Sequence, residues 1–150
     1  AEVLGAIARQ IAVGPLESVH IIAKGALSQV TTSPLKLAVL KGVLSGSREG
    51  VNYVNAPILA EEQGIEVKES STKTTRSYQN VLQVELKTPK RLYRVAGTLI
   101  ADGIYRVVDV DGYYTSIDAT PNILLAPHED KPGMIAQVAS ILGSHHINIS

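Results

Sequence analysis

The chain has 150 residues, of which 45% are hydrophobic, and its 14 basic and 14 acidic side chains leave no net charge. This length suffices for one domain or two small ones. The balanced charge argues against nucleic acid or an anionic membrane as the main partner, because both require a basic surface. The absence of cysteine excludes a disulfide framework, a thiolate zinc site and an iron–sulfur cluster within these residues. No apolar run approaches the ~20 residues that a membrane-spanning helix needs.

Three helices are predicted in the first half of the chain, each bounded by residues typical of helix ends. Ser33-Pro34, an N-cap residue followed by a proline, opens the second helix, and Gly64 ends the third. The predicted helices span residues 1–13, 33–44 and 56–63, and extended segments are predicted at 18–26, 51–54 and 65–70.

The second half begins with a polar loop, Ser70–Tyr78, and continues with alternating apolar and polar residues typical of antiparallel sheet. Asp111-Gly112 is the sequence that a two-residue hairpin turn favours most. Thr120-Pro121 suggests a joint, so we place a domain boundary near residue 120. The predicted strands span 81–86, 92–100, 105–110 and 113–117.

The last thirty residues have the pattern of a strand, a tight turn, a helix and a second strand. The first strand is predicted over Asn122–Ala126, and Asp130 is predicted to cap a helix that runs from Met134 to Leu142. The second strand is predicted to begin at Ile147. Because the chain ends inside that strand, we expect it to be a piece of a longer polypeptide.

Two blocks of sequence carry a resemblance to a known family. The turn His128-Glu-Asp-Lys-Pro-Gly133, followed by a helix and Asn148-Ile149, resembles the opening β-α-β of an ACT domain, most closely the serine-sensing one of D-3-phosphoglycerate dehydrogenases. Upstream, Tyr53-Val-Asn-Ala-Pro and Gly97-Thr-Leu99 resemble the intervening, or allosteric-substrate-binding, domain of the long form of that enzyme. The resemblance implies an α+β fold. A mixed or antiparallel sheet with packed helices would span 1–120, and the truncated opening of a ferredoxin-like ACT domain would span 121–150.

The resemblance also implies a function. The parent enzyme oxidises 3-phosphoglycerate to 3-phosphooxypyruvate with NAD in the first step of serine synthesis, in the cytoplasm and as a homo-oligomer. This segment would hold no catalytic residue, metal or cofactor, and would bind L-serine together with phosphate or 3-phosphoglycerate. Two alternatives stay open: the regulatory region of an iron–sulfur L-serine dehydratase, and a stand-alone amino-acid-binding module.

Three residues of the C-terminal block match the family's serine-contacting positions, namely His128, Asp130 and Asn148. Taken alone, Asp130 is a helix cap, and Asn148 is a polar residue at a strand entry. The alternative for Asp130 is that its carboxylate binds the ammonium of an amino acid while free helix N–H groups bind its carboxylate. His128 and Asp130 would supply only half of a metal site, so no metal is expected.

Arg106 is the candidate for anion binding in the first domain. An exposed arginine on a sheet is commonly just solvated, but the resemblance implies that a basic residue at this position binds a phosphate-like anion. The family's second basic position in this strand pair matches Asp118, which is a departure from the pattern. His20 is predicted to be a hydrogen-bonded core or edge histidine, whereas His145 and His146 are predicted to lie in a solvated loop. The chain has no Gly-x-Gly-x-x-Gly dinucleotide fingerprint.

Overall fold

The computed structural model describes residues 1–75, 77–100, 103–119 and 123–148. Within these residues the chain forms four α-helices, one short 3-10 helix and a sheet of six strands. The helices are α1 (Glu2–Ile11), α2 (Ser33–Ser45), α3 (Ala56–Glu62) and α4 (Met134–Ser144), and the 3-10 helix spans Ala26–Gln29. The strands are β1 (Ser18–Gly25), β2 (Glu66–Thr72), β3 (Asn80–Lys87), β4 (Leu92–Ile100), β5 (Ile104–Val110) and β6 (Tyr113–Asp118).

The six strands form one mixed sheet in the order β2-β1-β3-β4-β5-β6. β1 pairs in parallel with β2 and antiparallel with β3, and the remaining pairs are antiparallel. The predicted α+β class is therefore confirmed. The β4–β5 pairing shifts register between Ala96 and Gly97, and the β5–β6 pairing shifts between Val107 and Asp109.

One face of the sheet is covered by helices. The inward residues of β1 and β3, among them Val19, Ile21 and Val84, are fully buried in a single core with α1 and α2. Val39, Leu40 and Val43 of α2 lie in this core, as their helical spacing predicts, and Leu35 packs at its margin.

The two covering helices approach each other closely at two glycines. A Cβ on Gly5 would lie 2.3 Å from the carbonyl oxygen of Val39, and a Cβ on Gly42 would lie 2.0 Å from that of Glu2. Both distances are far below van der Waals contact, so only glycine permits this crossing. The sequence pattern predicted the apolar stripe of each helix but not this backbone contact.

The predicted turn at Asp111-Gly112 is confirmed. Its residues have φ values of 53° and 94°, the positive values that a type I′ hairpin requires. The predicted extended segment at 51–54 is wrong. The side-chain oxygen of Asn52 accepts hydrogen bonds from the backbone N–H groups of Val54 and Asn55, so the chain turns there and leads directly into α3.

The predicted strands of the last thirty residues are not seen in the part of this region that the structure describes. Residues 123–131 and 147–148 have no strand pairing, although Ile123 and Leu125 pack against the core. A strand needs a neighbour for its backbone hydrogen bonds, and these residues join neither edge of the sheet. Thr120, Pro121, Asn122, Ile149 and Ser150 lie outside the described residues, so the boundary near 120 stays a prediction. The helix is confirmed as α4, and it buries no residue fully. Among the described residues, no helix is long and apolar enough to cross a membrane.

The close crossing of α1 and α2 generates a prediction about stability. Gly42→Ala should lower the free energy of unfolding by about 1–3 kcal/mol, the usual cost of overpacking, although alanine has the better helix propensity. Gly46→Ala, at the end of the same helix, is the matched control, because a Cβ there meets nothing within 4 Å. Urea denaturation followed by circular dichroism measures both variants. Equal stability of the two variants would contradict the crossing geometry.

Candidate functional site

The side chain of Arg106 already has partners. Its Nη1 donates to the carbonyl oxygen and the hydroxyl of Ser116, at 3.0 and 3.1 Å, and its Nη2 lies 3.2 Å from a carboxylate oxygen of Asp118. The pairing of β5 with β6 places Arg106 directly opposite Asp118, so the register produces this contact. An anion at Arg106 would have to compete with Asp118.

This competition is not prohibitive, because the pair is partly solvated. The side chain of Asp118 is 61% exposed and that of Arg106 is 33% exposed. Exposed ion pairs of this kind contribute about 0–1 kcal/mol. Arg106 is therefore a positioned cation held by a weak, partly solvated ion pair.

The turn before α4 differs from the expectation at Asp130. The helix begins at Met134, and its N-cap residue is Gly133, with φ at 89° and no side-chain cap. The prediction that Asp130 caps this helix is therefore wrong. The Pro132-Gly133 pair forms a turn of its own, which separates Asp130 from the free N–H groups of the first helical turn.

His128 and Asp130 are both exposed in this turn. The Nδ1 atom of His128 lies 2.9 Å from the carbonyl oxygen of Ala126, a contact that orients the ring. Because Asp130 does not cap the helix, its carboxylate is available to a ligand. Asn148 is also exposed and lies beyond the other end of α4. The eleven residues of that helix, which span about 16 Å, lie between the turn and Asn148.

His20 is placed as the sequence predicts. Its Nε2 atom lies 2.8 Å from the hydroxyl of Ser70 on β2, and its Nδ1 atom lies 3.5 Å from a carboxylate oxygen of Glu85 on β3. It occupies an interior strand of the sheet and has a partner on each side, so it is a hydrogen-bonded histidine. His145 and His146 follow the last turn of α4 and are exposed, as expected.

A buried carboxylate on β5 was missed by the sequence analysis. Asp109 is only 8% exposed and lies beside the Nε and Nη2 atoms of Arg94, at 3.2 and 3.3 Å. It also accepts a hydrogen bond from the backbone N–H of Gly112, at 3.1 Å. The contact depends on the register shift in β5, which no local pattern reveals. The proximity of Asp109 to a hairpin turn was the signal that could have drawn attention to it.

Comparison of the sequence with known proteins identifies a family for most of the chain. A sequence model of the D-3-phosphoglycerate dehydrogenase intervening domain matches residues 1–111, which include α1 to α3 and β1 to β5. This chain belongs to that intervening-domain family. The expected identity of the first domain is thereby confirmed over residues 1–111.

Relatives extend the similarity to the whole chain. The chain is 36% identical over 152 aligned positions to a D-3-phosphoglycerate dehydrogenase of Synechocystis, and 36% identical over 151 to one of Methanocaldococcus jannaschii. One of Bacillus subtilis is 29% identical over 148 positions. These alignments cover 98–100% of the chain but only 27–28% of each relative. The chain therefore corresponds to just over a quarter of the length of those dehydrogenases.

The Arg106–Asp118 pair generates a prediction about anion affinity. Asp118→Asn should strengthen phosphate binding at Arg106 several-fold, because it removes the competing carboxylate, and Arg106→Ala should abolish that binding. Asp111→Asn is the control, because it also removes one carboxylate and Asn tolerates the positive φ found there. NMR titration with inorganic phosphate, followed at the amides of 116–118, measures all three. Unchanged affinity in Asp118→Asn would show that Asp118 does not compete for Arg106.

Proposed function

We propose that the chain is the regulatory region of a D-3-phosphoglycerate dehydrogenase, in which the intervening domain binds a phosphate-like anion and the C-terminal block binds L-serine. The match to the intervening domain over residues 1–111 carries this proposal. It is supported by the alignment of the remaining residues with proteins named D-3-phosphoglycerate dehydrogenase.

We assign the oxidation of 3-phosphoglycerate to another part of the longer protein. A dehydrogenase needs a nucleotide-binding turn, and this sequence has no Gly-x-Gly-x-x-Gly motif. NAD would therefore bind outside this region, where it would accept a hydride from 3-phosphoglycerate. The contribution of the region would be a coupling free energy between its effector sites and the catalytic cleft, on the order of 1–3 kcal/mol in allosteric proteins.

The exposed turn before α4 supports the serine site. A free amino acid carries an ammonium and a carboxylate, so its site needs a group complementary to each. The carboxylate of Asp130 provides the first, and it is not occupied as a helix cap. Asn148 provides both a donor and an acceptor from its amide. Because α4 separates these residues along the chain, we infer that a serine that contacts both lies between two copies of the region, as in the homo-oligomer that the resemblance implies.

Serine affinity is the measurement that tests this proposal. In the longer enzyme, Asn148→Ala should weaken serine binding by about tenfold, equivalent to about 1.4 kcal/mol. Asp130→Ala should weaken it similarly, because a hydrogen bond to a charged group contributes about 1.5–3 kcal/mol. Asp130→Asn should have a smaller effect, since it removes the charge but keeps an acceptor. Isothermal titration calorimetry measures the dissociation constants.

Two neighbouring substitutions serve as controls. Glu129→Gln removes a charge next to Asp130, and His145→Ala truncates an exposed side chain near Asn148; neither should change serine affinity. Because Gly133 is the N-cap of α4, Asp130→Ala should also leave the melting temperature unchanged. If Asn148→Ala and Asp130→Ala bind serine as tightly as the unmodified enzyme, the serine site lies elsewhere.

A further inference from the structure

The face of the sheet opposite the helices carries a polar cleft of about 490 Å³. Lys24, Gln83, Arg94 and Asp109 line it from strands β1, β3, β4 and β5. The described residues that follow β1 in the lining add four hydroxyl-bearing side chains and one tyrosine, namely Thr72, Thr74, Thr75, Ser77 and Tyr78. This volume lies within the ~300–1,000 Å³ of typical small-molecule sites. Arg106 is not among the lining residues, so the cleft is separate from the Arg106–Asp118 pair.

The loop that forms one wall of the cleft is held against the end of β1. Gly25 has φ at 65°, and a Cβ there would lie 2.2 Å from the carbonyl oxygen of Gln79 and 2.8 Å from the methyl group of Thr75. The backbone N–H of Ala26 donates to the same Gln79 oxygen at 2.8 Å. A side chain at residue 25 would therefore displace Gln79 and Thr75, so only glycine allows the loop to lie this close to the end of β1.

The guanidinium of Arg94 is oriented but not saturated. Asp109 takes two of its N–H groups, through Nε and Nη2. A guanidinium has five N–H donors, so three remain for other acceptors. The side chain of Arg94 is 42% exposed, whereas that of Asp109 is 11% exposed. The buried carboxylate thus fixes the direction of a cation whose other donors lie at the surface of the cleft.

Lys24 adds a positive charge without a carboxylate partner. Its ammonium donates to the side-chain carbonyl oxygen of Gln83 at 2.6 Å, which is a neutral acceptor. None of the ion pairs among the described residues includes Lys24. Lys24 and Arg94 therefore face a single lining carboxylate, Asp109, and the described lining carries a net positive charge. A net positive lining with several hydroxyl groups is complementary to an anion that also bears hydroxyls.

We propose that this cleft binds a small hydroxylated anion, such as a phosphate ester of a polyol. Lys24 and the free N–H groups of Arg94 bind the phosphate, and the hydroxyls of Thr72, Thr74, Thr75 and Ser77 pair with the hydroxyls of the ligand. The site is a second one on the intervening domain. Ligand binding in the cleft is inferred from its lining residues alone, and it does not depend on serine binding or on the anion site at Arg106.

Titration of the 150-residue chain with three probes tests this proposal. The probes are glycerol 3-phosphate, inorganic phosphate and glycerol, and the readout is the shift of backbone amide signals in ¹H–¹⁵N NMR spectra. Glycerol 3-phosphate should shift the amides of 72–75 and of Lys24 in a saturable way and bind several-fold more tightly than phosphate. Glycerol should not saturate. The absence of saturable shifts at these amides, or shifts confined to 116–118, would overturn the proposal.

Substitutions assign the contacts. Lys24→Gln should weaken glycerol 3-phosphate binding about tenfold or more, whereas Lys68→Gln, on the same face but outside the cleft, should change it little. Thr75→Val should reduce the preference for glycerol 3-phosphate over phosphate and leave phosphate binding unchanged. An equal loss of glycerol 3-phosphate affinity in Lys24→Gln and Lys68→Gln would mean that only the overall positive charge matters, and it would refute the site. An unchanged preference in Thr75→Val would refute the role of the loop hydroxyls.

Discussion

The close contact between α1 and α2 is the constraint on which the rest of the structure depends. Gly5 and Gly42 allow the two backbones to meet, so the pair forms a continuous apolar surface that packs on one face of the sheet. The buried residues Val39, Leu40 and Val43 then share one core with the inward residues of β1 and β3. With its apolar side chains buried on this face, the sheet can carry polar and charged residues on the other.

The other face of the sheet carries polar and charged side chains. Side chains alternate along a strand, so the residues between the core positions of β1, β3, β4 and β5 point away from the helices. They pair across strands, as His20 does with Ser70 and Glu85, and Arg94 with Asp109. Arg106 and Asp118 also pair across neighbouring strands, β5 and β6. These pairs bring opposite charges together and hold the charged side chains in fixed directions.

The sequence predicted the features that local patterns determine. β4 spans Leu92–Ile100 as its alternation indicates, and Asp111-Gly112 forms the expected turn, because period and backbone preference are encoded by neighbouring residues. The parallel pairing of β1 with β2, the crossing at Gly42 and the carboxylate of Asp109 were not predicted, because each depends on which distant segments become neighbours. Asp130 was misassigned because a Pro-Gly turn lies between it and the helix. The family resemblance, not periodicity, identified Arg106, His128 and Asn148 as candidates.

One face of the sheet is covered by helices and the other is open and polar. Because the chain has no cysteine, introduced thiols can test this difference directly. Single cysteines introduced by Ser70→Cys on the open face and Ala23→Cys on the covered face would be titrated with a thiol reagent in the folded chain. Rapid reaction is expected at residue 70, because Ser70 is exposed. Protection is expected at residue 23 until the chain unfolds, because Ala23 is fully buried. Similar reaction rates at the two positions in the folded state, or protection at residue 70, would contradict this assignment of the two faces.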